Sequence, residues 1–147
     1  MKFWTSLLAS LVLVAGVSAA DSTITNSPVK KFRLPQFNEE GYRTGLLEGD
    51  EASLISQTQI DIKEMHFTVF SADDANTVDT TILAPTATIR IPDQQHALVE
   101  GKGPVRVVRS DLDASGENWT YLHAEKKIIM RNHVHVVFRS ELTDLLK

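Results

Sequence analysis

An all-β fold, an open antiparallel β-sandwich or jelly-roll of repeated hairpin units, is what this 147-residue sequence predicts. Three observations carry that expectation. From Phe32 to Phe138 the chain is a series of short runs rich in β-branched and aromatic residues that alternate apolar and polar. Clusters of Asp, Asn, Gly, Pro and Ser separate the runs. No window between 32 and 138 has helical spacing.

The elements follow in order. "MKFWTSLLASLVLVAGVSAAD" places Lys2 before an apolar run from Leu7 to Val17 that closes on Ser18, Ala19 and Ala20. That is the layout of a secretory signal peptide over residues 1–20, with cleavage expected after Ala20. The rival is a short membrane anchor, since Trp4 to Ala20 is at the lower limit for crossing a bilayer. "DSTITNSPVKK" (21–31) is polar and aperiodic and reads as a tether. The β domain is expected over 32–139. In "IDIKEMHFTVF" (60–70) Ile60 and Ile62 alternate, then Met65, Phe67 and Val69, so the phase slips near Glu64 as a bulge would cause. "TTILAPTATIRI" (80–91), "HALVEG" (96–101), "PVRVVR" (104–109), "WTYLHAE" (119–125), "KIIM" (127–130) and "HVHVVF" (133–138) are the further strands. Gly101-Lys102-Gly103 and Asp113-Ala114-Ser115-Gly116 read as the turns between them. "SELTDLLK" (140–147) reads as a short helix with Ser140 at its N-cap.

Composition removes several functions. The formal charge is −4, which suits no nucleic-acid partner, because phosphate binding wants clustered Lys and Arg. There is no cysteine, so neither disulfides nor a thiol nucleophile enter, and the domain rests on its apolar core. An exported chain of this kind fits a bacterial periplasm, whether free or tethered to the inner membrane. "NWT" (118–120) matches a glycosylation sequon, a pattern short enough to arise by chance.

"NHVHVVF" (132–138) raises the question of a metal, because His133 and His135 would share one face of a strand. Set beneath it, "EMHFTVF" (64–70) and "GPVRVVR" (103–109) look like earlier copies of the same strand. In that alignment His135 is matched by Arg106 and Phe67, and His133 by Pro104 and Met65. A strand that recurs without its histidines is there for the sheet. "LLEGDEASL" (46–54) and "ILAPTATI" (82–89) repeat as well, each with a small residue three before an alanine: Gly49 and Ala52, Ala84 and Ala87. "DLDASGEN" (111–118) starts like a calcium loop, but its twelfth position is Leu122 where a bidentate acid belongs. There is no G-x-S-x-G elbow and no evident base for any serine. The chain reads as a non-enzyme that needs no metal and no cofactor.

From 37 to 138 the order of these features resembles a family. "FNEEGYRTGLLEGDEASL", "IDIKEMHFTVF", "TTILAPTATIRIPDQQHALVEGKGPVRVV" with Ala84-x-x-Ala87, and "WTYLHAEKKIIMRNHVHVV" follow one another as in the periplasmic lipopolysaccharide-export proteins with the OstA-like fold. The likeness is greatest to the LptC family, which is related to LptA. The resemblance implies lipopolysaccharide transport to the outer membrane, with an inner-membrane ABC exporter complex and a periplasmic bridge protein of the same fold as partners. It implies two facing sheets that shelter acyl chains in an apolar groove, and neighbouring proteins joined by strand addition. The groove residues expected on that basis are Ile62, Phe67, Val69, Ile82, Ile89, Val107, Ile129 and Val136. The partner edge expected is Val134, Val136 and Phe138. The rival is a closed β-sandwich that binds carbohydrate or protein, with Trp119 and Tyr121 on one face as a stacking platform.

One prediction follows from the histidines. The double substitution His133→Ala with His135→Ala should leave the fold intact at a loss under about 1 kcal/mol. Metal analysis of the purified protein checks it: stoichiometric zinc or iron that disappears in the double variant contradicts the reading.

Overall fold

The structure, a computed structural model, describes residues 27–93 and 97–139. The expected signal or anchor segment and the C-terminal helix lie outside these residues. Seven strands form: β1 (Val29–Phe37), β2 (Arg43–Ser56), β3 (Gln59–Phe70), β4 (Val78–Arg90), β5 (Leu98–Arg109), β6 (Leu112–Leu122) and β7 (Lys127–Phe138). Each pairs antiparallel with the next, so the sheet order is the chain order and, among the described residues, β1 and β7 are its free edges. The fold is all-β and open, as the alternation predicts.

Strand boundaries differ from the sequence reading in four places. β1 begins at Val29, inside the segment read as tether. Gly101-Lys102-Gly103 lies within β5, and Asp113 to Gly116 lies within β6. "KIIM" and "HVHVVF" are one strand, β7. Gly101, taken for a turn, and Gly49, of the small-x-x-Ala repeat, have another use. A Cβ on Gly101 would lie 2.6 Å from the Trp119 indole nitrogen, and one on Gly49 would lie 2.7 Å from the Phe32 ring. A large ring rests flat on each, which only a missing side chain permits.

The sheet is single, yet it has an inside. Phe67, Ile82, Val107 and Ala114 sit opposite one another across β3 to β6. In a flat sheet Tyr121 would be about 14 Å sideways from Phe67 and about 20 Å further along the strands. Their rings are instead 5.6 Å apart, edge to face. The sheet therefore folds across its own strands, and the two layers of the expected sandwich are two halves of one sheet.

The fold line runs through every strand. Lys31, Glu64, Asn118 and His133 hold left-handed backbone conformations on β1, β3, β6 and β7, at φ of 48°, 52°, 52° and 50°. Asp50, Pro85 and Lys102 to Gly103 are level with them on β2, β4 and β5. Successive core-facing residues across this line are three apart: Gly49 and Ala52, Ile62 and Met65, Ala84 and Ala87, Gly116 and Trp119. The extra residue points outward, and the strand bends, as at a bulge. β5 keeps strict alternation, so its ladders slip by one residue, between Leu83 and Thr88 on one side and Gly101 and Pro104 on the other. The small-x-x-Ala repeats and the slip near Glu64 are this line.

Between the halves lies one cluster that includes Phe32, Leu47, Ile62, Met65, Phe67, Val69, Ile82, Val105, Val107, Trp119 and Tyr121. At about 25 cal/mol per Å² of apolar area, each large side chain here contributes about 1.5–3 kcal/mol. The outer face carries cross-strand ion pairs instead. Lys30 and Lys63 both meet Glu51, Arg33 meets Glu48 at 2.7 Å, and Arg106 grips Asp113 with two nitrogens at 2.6 and 3.0 Å.

Gly101→Ala should therefore cost about 1–3 kcal/mol by forcing the Trp119 ring off its seat. Gly103→Ala, with nothing nearer than 3.8 Å, should change stability by less than about 0.5 kcal/mol. Chemical denaturation of the two variants decides whether close approach is the reason for the first glycine.

Candidate functional site

Three surfaces of this folded sheet can meet a ligand or partner: the space between the halves, the free edges, and the outer face at the fold line.

The space between the halves is filled. Ile62, Phe67, Val69, Ile82 and Val107 are each at most 4 % exposed and belong to the core, and Ile89 packs against it. A small, partly open void of about 70 Å³ lies there, walled by Val69, Ile82, Val107, Tyr121 and Ile128 together with Asp79, Arg109 and Lys126. That is space for about two waters. Ile129 is a correction. It pairs with Thr120 on the outer face, while Ile128 and Met130 pair with Tyr121 and Trp119 and pack on the core. The period of two within "KIIM" admits either phase, and the partner strand selects the one that covers Trp119.

Trp119 and Tyr121 share a face, as their spacing predicts, but it is the inner one, and they are 1 % and 4 % exposed. They form core rather than a solvent-facing platform. Tyr121 lies in a ring cluster with Phe67 and His123 at the mouth of the fold, and its hydroxyl is 3.3 Å from His123 Nδ1. Burial pushes the Tyr121 phenol up to about 12 and holds the His123 imidazole below its ordinary value. Unfolded chain then takes up the His123 proton more readily, so acid below the ordinary histidine value weakens this end of the fold.

The edges are unlike the interior. On β7, Val136 faces inward opposite Ala114 and Phe138 opposite Leu112, yet they are 40 % and 56 % exposed. Val134, the third expected edge residue, is exposed too. On β1, Leu34 faces inward opposite Leu47 and is 54 % exposed. Inward-facing apolar side chains thus run out at both edges without cover.

The histidines of β7 stand on the outer side. His133 Nδ1 is 3.0 Å from Glu117, and His135 is level with Ser115. Among the described residues no group of three His, Asp or Glu is placed to hold a metal. The repeat alignment is one residue out of phase in β3: Phe67 and Met65 face the core, whereas Arg106 and His135 face out. Asp113 of the calcium-like stretch is taken by Arg106 and Arg139, and those cations hold its carboxyl below the usual range.

Sequence reasoning missed a hollow of the outer face, about 600 Å³ where the β4–β5 ladder is interrupted. Lys63, Thr86, Thr88, Arg90, Lys102 and Arg131 are among its walls. These residues stand on four strands, β3, β4, β5 and β7, and only the fold line brings them together.

Because Val107 is packed core, Val107→Arg should bury an unpaired charge and unfold the domain, at several kcal/mol. Val136→Arg should melt cooperatively near the wild-type temperature, since its side chain already reaches water. Equal melting of the two variants would refute the distinction between filled interior and open edge. No protein-family model matches the chain, and no curated protein is similar enough to it to name a relative.

Proposed function

We propose that the chain is a non-enzymatic periplasmic component of lipopolysaccharide transport to the outer membrane, which shelters acyl chains on its inner apolar face and joins neighbours by strand addition. The sequence resemblance supplies the lipid and the partners: an inner-membrane ABC exporter complex on one side and a periplasmic bridge protein of the same fold on the other. The observation that supports the reading is the exposure of inward-facing Leu34, Val136 and Phe138 on the two free edges. An unpaired edge that carries Val134, Val136, Val137 and Phe138 is an aggregation hazard in isolation and a docking strand when a partner is present.

A second sheet added to β7 would extend the layer that holds Val136 and Phe138 and roof the apolar face between two proteins. Acyl chains laid there gain about 0.8 kcal/mol per methylene removed from water. The sugars would remain in solvent against the polar outer face. The filled interior around Val107 favours a second reading, a closed sandwich that binds carbohydrate or protein and carries no lipid. The two readings part at the edge.

A photoreactive phenylalanine analogue at Val136 should crosslink lipopolysaccharide, and Val136→Arg should lose that lipid while staying folded. Val136→Pro should abolish crosslinking to a partner sheet, because proline interrupts the strand that would pair. A folded Val136→Arg protein with normal lipid yield, or a folded Val136→Pro protein with normal partner yield, favours the closed sandwich.

A further inference from the structure

We propose that the outer hollow at the fold line is a binding site for a phosphate ester carried on a hydroxylated ring, such as a sugar phosphate. The proposal stands on the protein's own side chains and is independent of lipid carriage.

The walls hold four cations, Lys63, Arg90, Lys102 and Arg131, against two acids, Asp61 and Glu100. The chain as a whole has net charge −4, so this local excess of positive charge opposes the general trend. Two of the cations are already occupied: Lys63 by Glu51, and Arg90 by Glu100. The other two are not. Arg131 donates only to neutral oxygens, the Asn118 carbonyl at 3.3 Å and the Thr120 hydroxyl at 3.1 Å. Lys102 has no carboxylate partner among the described residues.

Lys102 and Arg131 flank Asn118 on β5, β7 and β6, where the fold line crosses these strands. Two strand steps separate their backbones by about 9.5 Å, and both long side chains leave from the outer face. One phosphate can lie between them, held by a planar guanidinium and an ammonium. Ser53, Thr86, Thr88, Thr120 and Asn118 supply donors and acceptors for ring hydroxyls around it. A hollow of about 600 Å³ is in the range that takes a small polar ligand.

One further feature sets this place apart. The β4–β5 ladder is interrupted, so Ala84 to Ala87 and Gly101 to Val105 face one another without ladder pairs.

The test uses the full chain carrying Trp4→Phe, so that Trp119 is the sole tryptophan. Glucose 1-phosphate should bind saturably, with a dissociation constant on the order of 0.1–1 mM, and shift Trp119 emission. Glucose should not bind, and rising salt should weaken the phosphate ester. Lys102→Ala with Arg131→Ala should weaken binding at least tenfold while keeping a wild-type melt, and Arg33→Ala, outside the hollow, should not. Vesicles containing phosphatidylinositol 4-phosphate form the second arm: binding to them alone, lost in the same double variant, supports the site and assigns it to a lipid headgroup. Unchanged glucose 1-phosphate affinity in the double variant, or no binding of either probe by folded protein, overturns the proposal. Lipopolysaccharide crosslinking at Val136 is a separate readout, so failure of either proposal is distinguishable from failure of the other.

Discussion

Everything in this fold depends on bending a sheet across its strands. A seven-stranded meander with one apolar face cannot bury that face by itself. It must meet another layer, close into a barrel, or fold. Here four non-glycine residues, Lys31, Glu64, Asn118 and His133, adopt left-handed conformations along one line. Each such residue is disfavoured by about 1–2 kcal/mol. The arrangement holds because side chains on both sides of the line demand it. Phe32 rests on Gly49, Trp119 rests on Gly101, and the Phe67 and Tyr121 rings meet across the gap. Ala52 and Ala87, both opposite Ile62, and Ala84, opposite Met65, keep the inner surface low where the layers come closest.

Folding across the strands has a consequence that barrel closure lacks. A barrel joins its first strand to its last and so removes both edges. A folded sheet keeps them, and each edge strand presents both unpaired backbone and the apolar residues of the inner face. The interior of the fold is therefore stability, and its ends are contact. That division explains why Val107 and Val136, equivalent in pattern and both inward, have opposite surroundings: one has Ile82 and Ala114 opposite it on flanking strands, the other has a neighbour on one side only.

Much of this was legible in the residues. Alternation named most of the strands, and the phase slip near Glu64 marked the bend in β3, while the Gly49/Ala52 and Ala84/Ala87 pairs, read as a repeated unit, are the same bend in β2 and β4. What escaped has physical reasons. Gly101, Gly103 and Gly116 carry turn chemistry in a one-dimensional reading, and only the packed Trp119 and Met130 rings and chains above Gly101 and Gly116 show the other use. Ile128 and Ile129 are chemically alike, so which one faces the core is settled by pairing with β6. The outer hollow draws on strands far apart in sequence, and no local pattern announces it.

The polarity of the two faces bears on how such a chain could handle an amphipathic molecule. With the interior filled by side chains, acyl chains have no preformed tunnel through the centre. Parting the halves would strip Phe67 from Tyr121 and His123, at a loss of about 1–3 kcal/mol for the two ring contacts beyond the apolar area re-exposed. Contact at β7 needs no such opening, because Val136 and Phe138 already meet water. A lipid that bridges this edge and an added partner strand gains burial on both proteins at once. Transfer from one protein to the next is then favoured when the partner is docked and disfavoured when it is absent, since only the docked sheet removes the second side of the chain from water. If the proposed lipid carriage holds, the edge strand, rather than the core, is where lipid would pass between proteins.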